Sequence, residues 1–183
     1  MNVMFHDIQT IMPLGSAKSA RSLGDLLEHS DFVSLHVPES DETRNLIGRQ
    51  EILLMKRGSF LLNASRGSVV DIQALRDALK VGHLEGAAID VFPEEPEVNG
   101  FFNHIFDDCN NVILTPHIGG STEEAQTAIG GEVSDRLVKF IEQGSTVGSV
   151  NLPELDLRLT EWKGTGCRIL NVHHNVPGVL KVT

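Results

Sequence analysis

"SFLLNASRGSVVDIQALRDALKVGHLEGAAIDVF", residues 59–92, decides the fold class. SFLLNA (59–64) is an apolar run too short for a helix and reads as a buried strand. Asp71 then supplies a helix cap, and DIQALRDALK keeps helical spacing until Gly82 closes it. AAIDVF (87–92) is a second apolar run, ended by Pro93. Strand, helix and strand in that order make a crossover unit, and a crossover returns the chain to a parallel neighbour.

The same alternation extends both ways. VMFHDI (3–8) is a short strand ending in an acid, and LGDLLEHS (23–30) has helical spacing. FVSLHV (32–37) is a strand stopped by Pro38, and RQEILLMK (49–56) is a helix ended by Gly58. NVILT (111–115) is a further strand. Ser121 and Glu124 have the spacing of a capping box for a long helix to about Gln143, with Gly144 as its stop. The pattern predicts an α/β protein, a doubly wound parallel sheet with helices on both faces. Beyond Gly144 the alternation breaks. Residues 145–166 read as an extended connection, and RILNVHHNVPGVLKV begins a strand and, at Pro177, a helix.

Composition narrows the partners. The 183 residues carry a formal net charge of −10, which disfavours nucleic acid or an anionic membrane surface. No apolar run approaches the ~20 residues of a membrane span. The N-terminus lacks the basic start of a secretory signal. Cys109 and Cys167 lie far apart with no CxxC spacing, so neither a disulfide framework nor a metal site is expected, and a reducing cytoplasm is the natural setting.

In open α/β sheets ligands bind beyond the carboxyl ends of the strands. Asp7, His36 with Pro38, Asn63 to Arg66, Asp90 with Glu95, and His117 all follow strand ends in this sequence. A strand-end carboxylate such as Asp7 can accept both ribose hydroxyls of a dinucleotide and would repel a 2′-phosphate. Arg66 offers a planar fork suited to a carboxylate. His117 can move a proton near neutral pH, and a neighbouring carboxylate would favour its imidazolium. Spacing alone does not choose between Glu94 and Glu95. Each residue taken singly has an ordinary explanation as a cap, a surface charge or a loop histidine. His104 reads as a surface loop residue, and His173 and His174, being adjacent, would face opposite ways on a strand. The ordered set "NASRG", "DVFPEEP" and "LTPHIGG", each after a strand, is what makes a coincidence of ordinary roles improbable.

"SLHVPESDETRNLIG", "LMKRGSFLLNASRGSVVD", "GAAIDVFPEEP" and "LTPHIGGSTEEAQ" resemble the NAD-dependent D-2-hydroxyacid dehydrogenases over roughly residues 1–152. The nearer resemblance is to the branch that oxidises 3-phospho-D-glycerate on the way to L-serine. "STVGSVNLPEL" followed by "RILNVHHNVPGVL" is similar to the link into an ACT module, through which serine inhibits some of these enzymes. The resemblance implies NAD as cofactor, a small hydroxy acid as substrate, a homo-oligomer, and no nucleic-acid or membrane partner. It implies Arg66 as the binder of the substrate carboxylate and His117 as general acid/base. Glu95, the acid before Pro96, would be its partner. Asp7, His36, Pro38, Ala64, Ser65, Arg66, Asp90, His117, Ile118, Gly119 and Gly120 would line the cofactor. Pro116 would aim His117, and Gly119 and Gly120 would allow close backbone approach. His173 and Asn175 match positions that bind serine. Another substrate such as 2-hydroxyglutarate, or a non-catalytic NAD-binding regulator, are the competing readings.

Against that family no G-x-G-x-x-G occurs, and the chain begins at what would be the second strand of a Rossmann sheet. The expected layout is a partial NAD-binding domain (1–120), a long helix and return segment to the substrate domain (121–152), a linker (153–166) and a truncated ACT-like module (167–183). The chain thus reads as an internal piece of a longer enzyme or an incomplete gene model, and by itself it is expected to be an inactive fragment. The absent central strand is expected between the strands at 3–8 and 59–64, leaving two strands on one side and three on the other.

Overall fold

The computed structural model describes residues 1–96, 100, 102–156, 173 and 177, which divide into a unit Met1–Ile118 and a unit beginning at Gly119. The first unit holds strands β1 (Met4–Phe5), β2 (Lys18–Ser19), β3 (Phe32–Leu35), β4 (Ser59–Asn63), β5 (Leu84–Ile89) and β6 (Val112–Leu114). Its helices are α1 (Leu23–His29), α2 (Arg49–Leu54) and α3 (Ile72–Lys80).

The crossover unit folds as strand, helix and strand, but its second strand runs Leu84–Ile89, three residues earlier than the expected 87–92. Asp71 Oδ1 accepts from the N–H groups of Gln73 and Ala74 at 3.1 and 3.0 Å and starts α3. That satisfies donors which a helix N-terminus otherwise leaves open. β3, β4, β5 and β6 form one four-stranded, all-parallel sheet in that order, with Val33, Leu61, Ala87 and Val112 in one row and Leu35, Asn63, Ile89 and Leu114 in the row after next, on the same face.

Three expectations need correction. The first strand is two residues, not six, and it pairs with β2 in a separate two-stranded parallel sheet. β2 is short, polar and exposed, so no hydrophobic period could announce it. β3 takes the position beside β4, so the discontinuity falls between β1–β2 and β3, and the division is two strands and four. Helices were expected on both faces, yet α1, α2 and α3 pack Leu27, Ile52, Leu75 and Leu79 into the same cluster as Val33, Leu35, Leu61 and Ile89. The opposite face carries Phe32 stacked on Phe60 at 4.8 Å, with Phe32 66% and Ile113 68% exposed. Apolar runs cannot distinguish a strand buried on two faces from one whose second face is apolar but open. Finally, β5 leads to β6 through residues 90–111 with no intervening helix among the described residues.

The second unit contains α4 (Glu123–Gln143), capped by Thr122, whose hydroxyl accepts from Ala125 N–H at 3.2 Å, rather than by Ser121. Gly144 ends it in the left-handed conformation, φ 66, that glycine adopts at little cost. His173 is exposed, whereas Asn175 and nearly all of the expected ACT-like segment lie outside the described residues. No described helix is long and apolar enough to cross a membrane.

One ion cluster ties α3 to the segment before β6. Asp108 accepts from Arg76 Nη2 at 2.7 Å and pairs with Lys80, and these two cations lower its carboxyl to about pH 2, Lys80 contributing most. A carboxyl depressed in the folded state adds stability that is present above its ordinary range, near pH 4, and lost as pH falls toward 2. Replacing Asp108 with Asn should therefore lower Tm at pH 6 and leave it unchanged near pH 2. An equal deficit at both pH values would show that the charge does not matter. The effect is small, because the side chain is 47% exposed and solvent screens the pair.

Candidate active site

Two loops beyond β4 and β5 are built to touch. Asn63, the last residue of β4, is 2% exposed, and its amide organises the next turn. Its Oδ1 accepts from Ser65 N–H at 3.1 Å and from the Ser65 hydroxyl at 2.8 Å, and its Nδ2 donates to Arg66 C=O at 3.0 Å. Arg66 leaves this turn in extended backbone, followed at once by a 3-10 turn at Gly67–Val69. A Cβ on Gly67 would lie 1.9 Å from the carbonyl carbon of Phe92 and 2.1 Å from its oxygen. Only a residue without a side chain lets the Arg66 turn lie against the backbone that leads to Glu95.

The β5 loop turns back on itself. Phe92 N–H donates to Glu95 Oε1 at 2.9 Å, which brings the carboxylate over the carboxyl end of the sheet. There it meets His117, whose Nδ1 lies 2.8 Å from Oε2 and 3.0 Å from Oε1. Burial pushes the Glu95 carboxyl up, but the Phe92 N–H and the His117 imidazole together outweigh it and hold the group below its ordinary value. Glu95 is therefore an ionised acceptor at neutral pH. A neutral ring that donates from Nδ1 to this carboxylate has Nε2 as its unprotonated nitrogen.

His117 itself carries the unusual backbone, φ 51. A non-glycine residue there costs roughly 1–2 kcal/mol. Gly119 and Gly120, just beyond it, do not have positive φ. Asp90 Oδ1 accepts from His117 N–H at 3.2 Å and also from the Thr115 hydroxyl.

Arg66, Glu95 and His117 line one open cavity of about 220 Å³ with Glu39, Gly67, Ser68, Val91, Phe92 and Pro93. The remaining candidates stand elsewhere. Asp7 is exposed and its Oδ1 accepts from Gln9 N–H at 2.8 Å. His36 Nε2 lies 2.9 Å from the Ser34 hydroxyl, and Pro38 C=O accepts from Thr43. Ala64 and Ile118 are exposed, Ser65 is buried within the turn, and Gly119 and Gly120 open the second unit. Sequence reasoning missed Glu39, Gly67 and the tie through Thr115. The glycine directly after the arginine in "SRGS" was the one available signal.

Cys109 is no rival nucleophile, since burial and Asp108 push its thiol above the ordinary range. The polar groups stand beyond the carboxyl ends of the strands, where open α/β sheets bind ligands.

Residues 1–119 match the family described as D-isomer specific 2-hydroxyacid dehydrogenase, NAD binding domain. The chain is 54% identical over 182 residues to D-3-phosphoglycerate dehydrogenase of Dictyostelium discoideum, covering 99% of the chain and 44% of that protein. It is 54% identical over 181 residues to the Escherichia coli K12 protein of the same name, covering 98% and 43%. It thus spans less than half the length of these relatives. Among solved structures, D-2-hydroxyisocaproate dehydrogenase superposes with TM-score 0.67 at 30% identity, over 79% of this chain and 47% of that one. The NAD complex of a Staphylococcus aureus NAD-dependent formate dehydrogenase superposes with TM-score 0.64 at 31% identity, over 77% and 41%. The chain belongs to the D-isomer specific 2-hydroxyacid dehydrogenase family, through the match of residues 1–119 to its NAD-binding domain.

Proposed function

We propose that this chain serves the NAD-dependent oxidation of 3-phospho-D-glycerate to 3-phosphohydroxypyruvate. The observation that carries the reading is the convergence of Arg66 with the hydrogen-bonded Glu95–His117 pair on one cavity. The names of the Dictyostelium and Escherichia coli relatives support the substrate. NAD, when bound, supplies the hydride acceptor. Arg66 holds the substrate carboxylate; its Nη1 already donates to Ser65 C=O at 2.7 Å, which steadies the guanidinium and leaves its other N–H groups for the substrate. His117 Nε2 takes the proton of the 2-hydroxyl, and ionised Glu95 stabilises the imidazolium that forms. Asp7 accepts the adenosine ribose hydroxyls.

The residues lining the cavity include one cation, Arg66, and two acids, Glu39 and Glu95. Arg66 is committed to the carboxylate, so the substrate phosphate must be held by groups outside this lining.

The test is turnover of the dehydrogenase with 3-phosphoglycerate and with 2-hydroxyglutarate, followed by NADH absorbance. A higher kcat/KM for 2-hydroxyglutarate would overturn the substrate assignment. Arg66→Lys should lower kcat/KM by roughly 10–100-fold, since charged hydrogen bonds contribute about 1.5–3 kcal/mol and an ammonium cannot reproduce a fork. An unchanged kcat/KM would remove Arg66 from the substrate site.

A further inference from the structure

We propose that Thr115 is a positioning residue for His117, acting through Asp90. The hydroxyl of Thr115 and the backbone N–H of His117 converge on the same oxygen, Asp90 Oδ1. This inference rests on the dehydrogenase reading of His117 and deepens it.

The geometry shows why a tie is needed there. His117 stands three residues beyond the end of β6 and holds φ 51, a conformation uncommon and strained for a residue other than glycine. Pro116, immediately before it, has no N–H to anchor the turn. The N–H of His117 is thus the first backbone donor beyond that of Thr115, and Asp90 accepts it.

Asp90 and Thr115 are themselves rigid. Asp90 N–H donates to Asn63 C=O at 2.9 Å, and Thr115 N–H donates to Ile89 C=O at 3.0 Å, so both extend the ladder of the sheet by one rung. A carboxylate can still rotate about its side-chain torsions. The Thr115 hydroxyl supplies the second contact that sets this rotation, with Oδ1 aimed at the His117 amide. In turn the fixed backbone sets where the imidazole begins, so that Nδ1 meets Glu95 and Nε2 is left for the substrate. Thr115 touches none of the reacting atoms, and its action is on the placement of a residue that does.

The experiment compares Thr115→Val, which keeps the branched shape and removes the hydroxyl, with Thr115→Ser, which keeps the hydroxyl. Both are placed in the dehydrogenase that carries this chain. We expect the valine variant to lose roughly tenfold in kcat with KM nearly unchanged, because a displaced base hinders the transition state more than binding. The serine variant should stay within about twofold of wild type on the same grounds.

The second readout needs no turnover. Amide hydrogen exchange at His117 N–H, followed by NMR, should quicken roughly tenfold in the valine variant and return toward wild type in the serine variant. Unchanged exchange and unchanged kcat in the valine variant would overturn the proposal. Equal loss of kcat in both variants with unchanged exchange would also overturn it, by showing a packing role. If the wild-type protein turned over no 2-hydroxy acid, the functional reading would fall, and the exchange measurement alone would decide whether Thr115 holds the His117 backbone.

Discussion

Turnover by a His117→Ala variant is expected to fall by about 10²–10⁴-fold, the usual contribution of a positioned general base, while NAD binding persists. The cavity holds four ionisable side chains, and three of them cannot take the part. The Arg66 guanidinium does not release a proton at any working pH. Glu95 is held ionised by the Phe92 N–H and by His117 itself, so it has no proton to give in the reverse direction. Glu39 lines the cavity and lies 3.9 Å from Arg44, but no hydrogen bond orients it toward the other two. Of these types only an imidazole commonly exchanges a proton near neutrality, and here its Nδ1 is held on the Glu95 carboxylate. Stopped-flow measurement of NADH formation, with NAD affinity measured separately, distinguishes loss of chemistry from loss of binding. A kcat within tenfold of wild type would end the assignment.

Gly67→Ala should be the most damaging substitution away from the reacting groups. The added Cβ would sit 1.9 Å from the Phe92 carbonyl carbon, 2.1 Å from its oxygen and 2.4 Å from Pro93 N. These are backbone atoms, so no side-chain rotation relieves the overlap, and one loop must move off the other. Overpacking of this kind costs typically 1–3 kcal/mol. At roughly 2–4 °C per kcal/mol for a chain of this size, Tm should fall by about 2–12 °C. The displacement separates the Arg66 turn from the segment that carries Glu95, and a shift near 1 Å costs on the order of 10²-fold in kcat/KM. Gly130→Ala on α4 is the control, since its added Cβ meets nothing within 4 Å and the helix gains a better former. Equal thermal stability of Gly67→Ala and wild type would show that the two loops are not locked together at this glycine.

The parts of this protein that were legible in advance are those governed by local rules. Residues 59–92 announce strand, capped helix and strand because apolar period, an Asp cap and a Gly stop act within a few residues of each other. Arg66 and His117 were likewise legible, each as a reactive type just past a strand end, whereas Glu95 was told from Glu94 only by the family resemblance; the structure brings all three to one cavity. Less could be read where the deciding contact is remote. β2 has no apolar signal and exists through its pairing with β1. The start of α4 moved from Ser121 to Thr122, a choice between two adjacent hydroxyls that only backbone geometry makes.

By itself, then, the order of residues determined the crossover unit, the parallel direction of its strands and the residue types at their carboxyl ends, because each follows from neighbours in sequence. Tertiary structure alone decided that β3 lies beside β4, that the helices cover one face, and that Gly67 is the point of contact between two loops. It also decided that Asp90, 27 positions from His117, holds that residue's backbone. The physical reason is the same in each case: these outcomes depend on which surfaces remain unpaired once the sheet has formed, and a contact across the fold leaves no period, cap or spacing in the chain to mark it.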